Sequence, residues 1–485
     1  MKSNMKKIST VVIACVIALM TMPLQTQAQA LKGSYFLDYS LNRHKLNPAF
    51  APRADYFQLF GVGNLGVGIG TNLDIPTFFY PKNGELLTFL HQNVSMKEFS
   101  RALPAHPHFD FELNTTLLGF GFYTKQMSYW TFDLGIKTLM DVDLPRDLFL
   151  FAKKGTGTAH QSFNIGNINA YAMAAMQASL GYSRNFPNGF RGGIKVRVLA
   201  PFAYMGLNVE NLRLNTSTDK WTLQSEGYAQ MAVQGLMMSS NEQGVPSPQF
   251  DIQRMLQNGV VSGWGGSIDL GVEYTLETGS AVDGLSVSAA VTDLGAIYYD
   301  AKSVTSYKSQ GEIEWTGFQD VAINGSDFEA SLNEFVENAK KELLNLTETE
   351  TSKGLLRSTM PTLYVGAELP FLKRSMSVGV LYSCRFSHSY PRHELTFSYN
   401  LTPCKWFALG VNYSLLNTTR TLGAILEITP KAGPSLFIGA DYIPVSWTKA
   451  PILLGNGSFN AIPLSYRLNL HFGIAMHVGS KYLKK

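Results

Sequence analysis

The sequence predicts an all-β protein, a transmembrane antiparallel β-barrel with helical loop insertions. Three observations predict it: period-two alternation in many segments, a low-charge and glycine-rich composition, and a secretory N-terminus. The alternation is clearest near the end of the chain. Leu468, Leu470, Phe472, Ile474, Met476 and Val478 alternate with Arg467, Asn469, His471, Gly473, Ala475, His477 and Gly479. Successive side chains of a strand point to opposite faces, so one face here is apolar and the other polar or tiny. A strand with lipid on one side and a wet or tightly filled lumen on the other has this pattern. A soluble sandwich would alternate too, so the choice rests on the other two observations.

Charged residues make up 16% of the chain, against roughly 25% in an average globular protein. Aromatic residues reach 12%, glycines number 43 and mean hydropathy is −0.01. After the N-terminal segment no apolar run reaches the roughly 20 residues of a transmembrane helix. Low charge, many aromatics and no hydrophobic block together describe a β-barrel.

At the N-terminus Lys2, Lys6 and Lys7 precede the apolar run Val11–Met22, and small residues follow at Ala28 and Ala30. This layout predicts a signal peptide over residues 1–30 with cleavage near Ala28-Gln29-Ala30. Val12-Ile13-Ala14-Cys15 spells a lipoprotein box, but hydrophobic residues continue past Cys15, where a mature lipoprotein turns polar. Removing residues 1–30 leaves 37 basic against 36 acidic residues, which gives no electrostatic case for nucleic acid. Outer-membrane lipid is the partner this reading implies.

Further strands follow in chain order. Trp130, Phe132, Leu134 and Ile136 oppose Thr131, Asp133, Gly135 and Lys137. Ile194, Val196 and Val198 oppose Lys195 and Arg197, just after the turn signal Phe186-Pro187-Asn188-Gly189. Ile268, Leu270, Val272 and Tyr274 oppose Ser267, Asp269, Gly271 and Glu273. Strands are expected at 394–401, 405–414, 420–428 and 435–443, joined by short connections that favour an antiparallel meander. The inward sets carry charges of both signs. Burying them in a soluble core would demand pairing, whereas a barrel lumen could leave them wet.

Two regions break the pattern. Residues 326–346 read as a helix from Phe328, Leu332, Phe335, Val336, Ala339 and Leu343 on one face, with Ser326 and Glu329 as a capping box. Residues 85–103 are a weaker helical candidate. The polar stretches 211–260 and 300–360 are expected to be extracellular loop insertions, suited to a docking or lid role.

Chemical motifs are sparse. Gly61-Val62-Gly63-Asn64-Leu65-Gly66 matches the dinucleotide fingerprint by letter, but no helix signal follows it to hold a pyrophosphate. Its glycines read instead as a strand face trimmed for close approach of something inside. His106, His108 and Asp110 have strand spacing that could gather a metal, yet Pro104 and Pro107 make the context a polar rim. His471 and His477 are about 20 Å apart along a strand, too far for one ion. Cys384 falls on an apolar face, and an oxidising compartment would allow a disulfide with Cys404. No residue is singled out as catalytic, cofactor-binding or metal-binding, and no cofactor is expected.

Several phrases resemble a family of Bacteroidota outer-membrane barrels of unknown function. They are Leu46-Asn47-Pro48-Ala49-Phe50-Ala51-Pro52, the run Gly265–Tyr274, Ala290-Val291-Thr292-Asp293-Leu294-Gly295, Gly433-Pro434-Ser435-Leu436-Phe437 and Asn469–Ile474. That family is similar to the PorV and PorP/SprF barrels of type IX secretion and, more distantly, to the fatty-acid transporter FadL. The resemblance implies about 14 strands across residues 31–485, with an N-terminal plug over 31–55. The expected function is a non-enzymatic accessory of protein secretion or surface assembly, with secretion-system or surface proteins as partners. The alternatives are a FadL-like conduit for a hydrophobic small molecule and a lipid-acting barrel enzyme.

Overall fold

The computed structural model describes residues 31–477 except 39, 53, 59–62, 83–84, 125–127, 155–160, 165, 217–220, 241–245, 252, 254–258, 278–282, 316–346, 350–352, 405, 417–419, 431–433, 445–446, 449–461 and 464–466. The expected signal peptide and the expected helix over 326–346, with its capping box, lie outside the described residues.

Fourteen antiparallel wall positions close into a ring. The first, β1, is in two pieces, Tyr56–Gln58 and Asn64–Thr71. There follow β2 (His108–Tyr123), β3 (Ser128–Asp143), β4 (Ile168–Asn185), β5 (Phe190–Thr216), β6 (Gly263–Thr275) and β7 (Ser286–Tyr299). The second half comprises β8 (Thr362–Phe371), β9 (Met376–Phe386), β10 (Pro391–Cys404), β11 (Phe407–Leu416), β12 (Arg420–Ile428), β13 (Pro434–Pro444) and β14 (Leu468–His477). Neighbours in sequence pair throughout, and β14 closes on β1, with Phe472 opposite Leu65 and His477 opposite Tyr56. The four strands expected near 394–443 are β10 to β13, within a few residues at each end.

Alternation sorts the side chains as the sequence reading expects. Val196, Val198, Ile268, Leu270, Val272, Val378, Val380 and Ile438 point outward and are 41–51% exposed. No water-soluble surface carries so continuous an apolar band; it fits the hydrocarbon of a bilayer. Phe122, Phe186, Phe190, Tyr274, Phe371 and Trp406 ring one edge of the band, and Trp264, Tyr298 and Phe386 mark the other. Aromatic girdles hold this place in membrane barrels.

The two ends of the barrel differ. At one end the connections are short, as at 186–189, 372–375 and 405–406; at the other they include 72–107, 144–167 and 445–467. The 27-residue β5 far exceeds the roughly 9–11 residues needed to cross a bilayer. Its later part pairs with the strand Trp221–Ala232, which in turn pairs with Val304–Trp315, so the wall sheet extends beyond the ring at the long-loop end. The candidate helix over 85–103 is corrected. Glu85–Thr88 is a strand paired with Phe79–Lys82 across a two-residue Asn83-Gly84 connection, a strong hairpin sequence. Only Met96–Ala102 is helical (α1), capped by Ser95, whose hydroxyl accepts from the Glu98 N–H at 3.2 Å.

Residues 31–50 lie inside the ring. Tyr35, Phe36, Leu46 and Phe50 pack with Ala290, Tyr364 and Leu381, while Leu31 and Leu37 meet Ala408, Ile425 and Phe437. Leu41 joins Tyr56, Tyr129 and Ala475. One short segment therefore touches walls all around the barrel.

Candidate functional site

The inner segment is seated by shape and by hydrogen bonds. Asn47 turns the chain locally, its Oδ1 accepting the Ala49 N–H at 2.9 Å, and its Nδ2 donates to the Val272 carbonyl at 3.3 Å. A Cβ on Gly271 would overlap the Asn47 side chain, and one on Gly193 would overlap the Pro48 carbonyl. Glycine is required at both places because the segment rests directly on strand backbone. Higher in the lumen, the Asp441 carboxylate accepts the Lys32 and Gly33 N–H groups at 2.6 and 2.7 Å. Lys32 Nζ pairs with Glu394 and donates to the Tyr442 hydroxyl at 3.0 Å.

Beside this seat is a buried charge centre. Between Ile268 and Leu270 of β6, the partner strand β7 carries a β-bulge, and Asp293 takes a positive φ of 58°. Bulges re-aim side chains. Here the Asp293 carboxylate receives Lys137 Nζ at 2.8 Å and pairs with Arg197. Arg197 also pairs with Asp269, whose Oδ1 accepts the Asp293 N–H at 2.7 Å. Lys195 Nζ and His44 Nε2 lie 3.3 and 3.1 Å from Asp133 Oδ2. Lys195 is 2% exposed and Asp269 1%, so the inward charges that a lumen could have left wet are here withdrawn from water in paired sets. Three of the phrases behind the family resemblance meet here, with Gly265–Tyr274 paired to Ala290–Gly295 and Asn47-Pro48-Ala49 seated on them.

Nearer the long-loop end the charges face one another across the lumen. Asp110 on β2 is in direct register with Asp141 on β3, and Arg385 on β9 with Arg392 on β10. Arg385 Nη1 reaches Glu112 Oε2 at 2.7 Å, and Arg392 joins Asp110 at 3.0 Å and pairs with Asp141. The pairs Arg385–Glu112 and Arg392–Asp141 each join walls seven positions apart in a ring of fourteen, the full width of the barrel. Arg467, just before β14, adds a contact to Asp110 at 3.1 Å. Around these bars, from Pro104, His106 and Tyr390 at the mouth down to Lys45 of the inner segment, is a chamber of about 390 Å³ also bordered by Lys137, Arg197, Asp293, Arg385 and Arg392.

The residues weighed in the sequence fall as follows. His108 opens β2 with Nε2 3.7 Å from Asp110 Oδ1, and His106 stacks on Tyr390 at the mouth, with ring centroids 3.9 Å apart. Among the described residues no group of His, Cys, Asp or Glu is placed to hold a metal ion. Asn64–Thr71 is strand, with Gly66, Gly68 and Gly70 on its inner face. His471 and His477 both face inward on β14. Cys384 is on the outer face of β9 but is buried there, and it lies opposite His393. Cys404 is on β10, eleven residues beyond His393 and so about 36 Å further along, and the two thiols cannot pair. The cross-lumen pairs were missed because their partners are 251 to 282 residues apart.

Among solved structures, the toluene transporter TodX of Pseudomonas putida is 10% identical, with 90% of this chain and 93% of that one covered and a TM-score of 0.36. The Ralstonia pickettii toluene transporter TbuX is 11% identical, covering 91% and 95%, with a TM-score of 0.40. A Rhodopseudomonas blastica porin triple mutant is 8% identical, covering 87% and 100%, with a TM-score of 0.22. Likenesses this loose add nothing to the closed barrel already described. No curated protein matches. The model of one family, described as a family of unknown function (DUF5723), matches residues 48–441, from the Pro48 that rests on Gly193 to the Asp441 that holds Lys32, and the chain belongs to that family.

Proposed function

We propose that the protein is a non-enzymatic outer-membrane conduit for a small polar solute, closed from the periplasmic side by its own residues 31–50. Short turns face the periplasm in barrels of this kind and long loops face outward, so the chamber opens toward the cell exterior. The observation that carries the reading is the chamber itself. It is bounded below by a segment that is covalently part of the chain, and polar or charged residues outnumber apolar ones in its lining, 13 of 37 being Asp, Glu, Lys or Arg. That lining favours a polar cargo over the hydrophobic one left open by the sequence. Single-channel recording tests the reading. The full chain should stay closed in planar bilayers, and a variant lacking residues 31–50 should show stepwise openings. A variant that retains the heat-dependent gel shift of a folded barrel yet never conducts would reject it.

A second reading, an accessory for secretion or surface assembly, is favoured by one feature. The sheet formed by the end of β5 with Trp221–Ala232 and Val304–Trp315 stands beyond the ring, where a surface protein could dock. Recovery of a stoichiometric surface protein with the crosslinked barrel would support it.

A further inference from the structure

From the two opposed walls of the mouth we infer that the solute recognised here is dipolar, carrying an anionic and a cationic group on one small molecule, as a short peptide does. The inference rests on the conduit reading and sharpens it to a ligand class.

Residues directly opposite on neighbouring strands have Cβ atoms about 4.5–5.5 Å apart, and like charges there repel. Arg385 and Arg392 form such a pair on the β9–β10 wall, and Asp110 and Asp141 form one on the β2–β3 wall. Glu112 adds a further negative charge to the second wall, as does Asp143, 3.7 Å from Arg392 Nη2. All are largely withdrawn from solvent, the carboxylates 5–9% and the two arginines 13–14% exposed. The two arginines pair only with the facing carboxylates among the described residues, while the carboxylate wall is met by those arginines and, at Asp110, by Arg467 as well.

A solute in the chamber meets both walls and competes with these pairs. An apolar or neutral solute would leave two arginines facing each other and three or four carboxylates doing the same. A simple anion would satisfy the arginine wall alone, and a simple cation the carboxylate wall alone. A molecule with both charges replaces each wall's missing partner at once. Its carboxylate takes the positions of Glu112 and Asp141 on the guanidinium groups, where planar donors match it. Its ammonium takes the places of Arg385 and Arg392 on the carboxylates. Arg385 Nε, buried and without a hydrogen-bond partner among the described residues, offers an additional donor on that wall.

Glycylglycine is the probe, with arabinose as a neutral solute and acetate and methylammonium as single ions. Binding to the full chain in detergent should be at least tenfold tighter for glycylglycine than for any of the other three. The double variant E112Q/R385Q keeps size and hydrogen bonding while removing one opposed pair, and it should lose at least tenfold in glycylglycine affinity. The exchange E112R/R385E, which gives each wall an opposite charge of its own, should not recover that loss. Equal binding of arabinose and glycylglycine, or no loss in the double variant, overturns the inference. Flux through the variant lacking residues 31–50 separates the two levels. Passage of both solutes without preference overturns dipolar recognition alone, whereas a folded variant passing neither overturns the conduit with it.

Discussion

Two levels of the lumen are occupied by different kinds of contact. Near the short-turn end the inner segment fits by shape, with Asn47 and Pro48 against Gly271 and Gly193 and aromatic rings against strands all around. At the long-loop end the contact is by charge, with two arginines spanning the barrel to three carboxylates. A shape fit has no partial state and answers to volume. A charge clamp answers to anything that supplies the missing partner. The lower level is therefore suited to holding and the upper to choosing.

Substitutions should separate the two levels. The largest effect is expected from Arg392→Met, which strands Asp110 and Asp141 in register without their shared cation. Removing one partner of a buried pair costs about 3–5 kcal/mol. The variant should melt earlier and let a bulky thiol reagent reach a cysteine placed at Thr116, while residues 31–50 stay resistant to trypsin. Next comes Gly271→Val, where overpacking costs about 1–3 kcal/mol. Trypsin should then cut at Arg43 and Lys45, with glycylglycine affinity at the mouth unchanged. Should both variants give the same phenotype, the two levels are one unit.

Ser95→Ala lies outside both levels and should cost about 1 kcal/mol locally through the lost cap of α1, leaving conductance and trypsin resistance as they were. In the same loop the hydrogen bond from Lys82, at 2.7 Å, holds the Glu98 carboxyl below its usual range. A depressed carboxyl stabilises the loop above its ordinary pKa and ceases to do so as pH falls through the lowered one. Protection of the α1 backbone amides, taken relative to their intrinsic exchange rate at each pH, should therefore fall on acidification below that range, and less so in Lys82→Met. The smallest effect is that of salt. Raising it from 0.1 to 1 M shortens the Debye length from about 10 to about 3 Å, which should weaken the mouth by under ~1 kcal/mol and leave the seat untouched.

Strand identity and facing were legible because period two is local: Asp133, Lys137, Lys195, Arg197 and Asp269 all face inward as their alternation required. Pairing was not legible. Whether Arg385 meets Glu112 depends on ring closure, which no local pattern encodes. The bulge at Asp293 likewise depends on β6 and β7 being in register. The 85–103 reading failed for another reason. Apolar spacing at Leu86, Leu90, Phe99 and Leu103 imitates a helix face, whereas the Asn83-Gly84 dipeptide in front of it favours a hairpin.

The opposed mouth also bears on how the barrel is made. The acidic hairpin β2–β3 emerges early in the chain and the basic hairpin β9–β10 late, with Asp110 and Arg392 282 residues apart. Until both are present and the ring has curved, each hairpin holds unbalanced charge of one sign, which hydrocarbon rejects and water accepts. Early intermediates are thereby biased to stay out of the bilayer interior, while the two halves attract each other. The same side chains that span the finished mouth thus favour completion of the circle over insertion of a fragment.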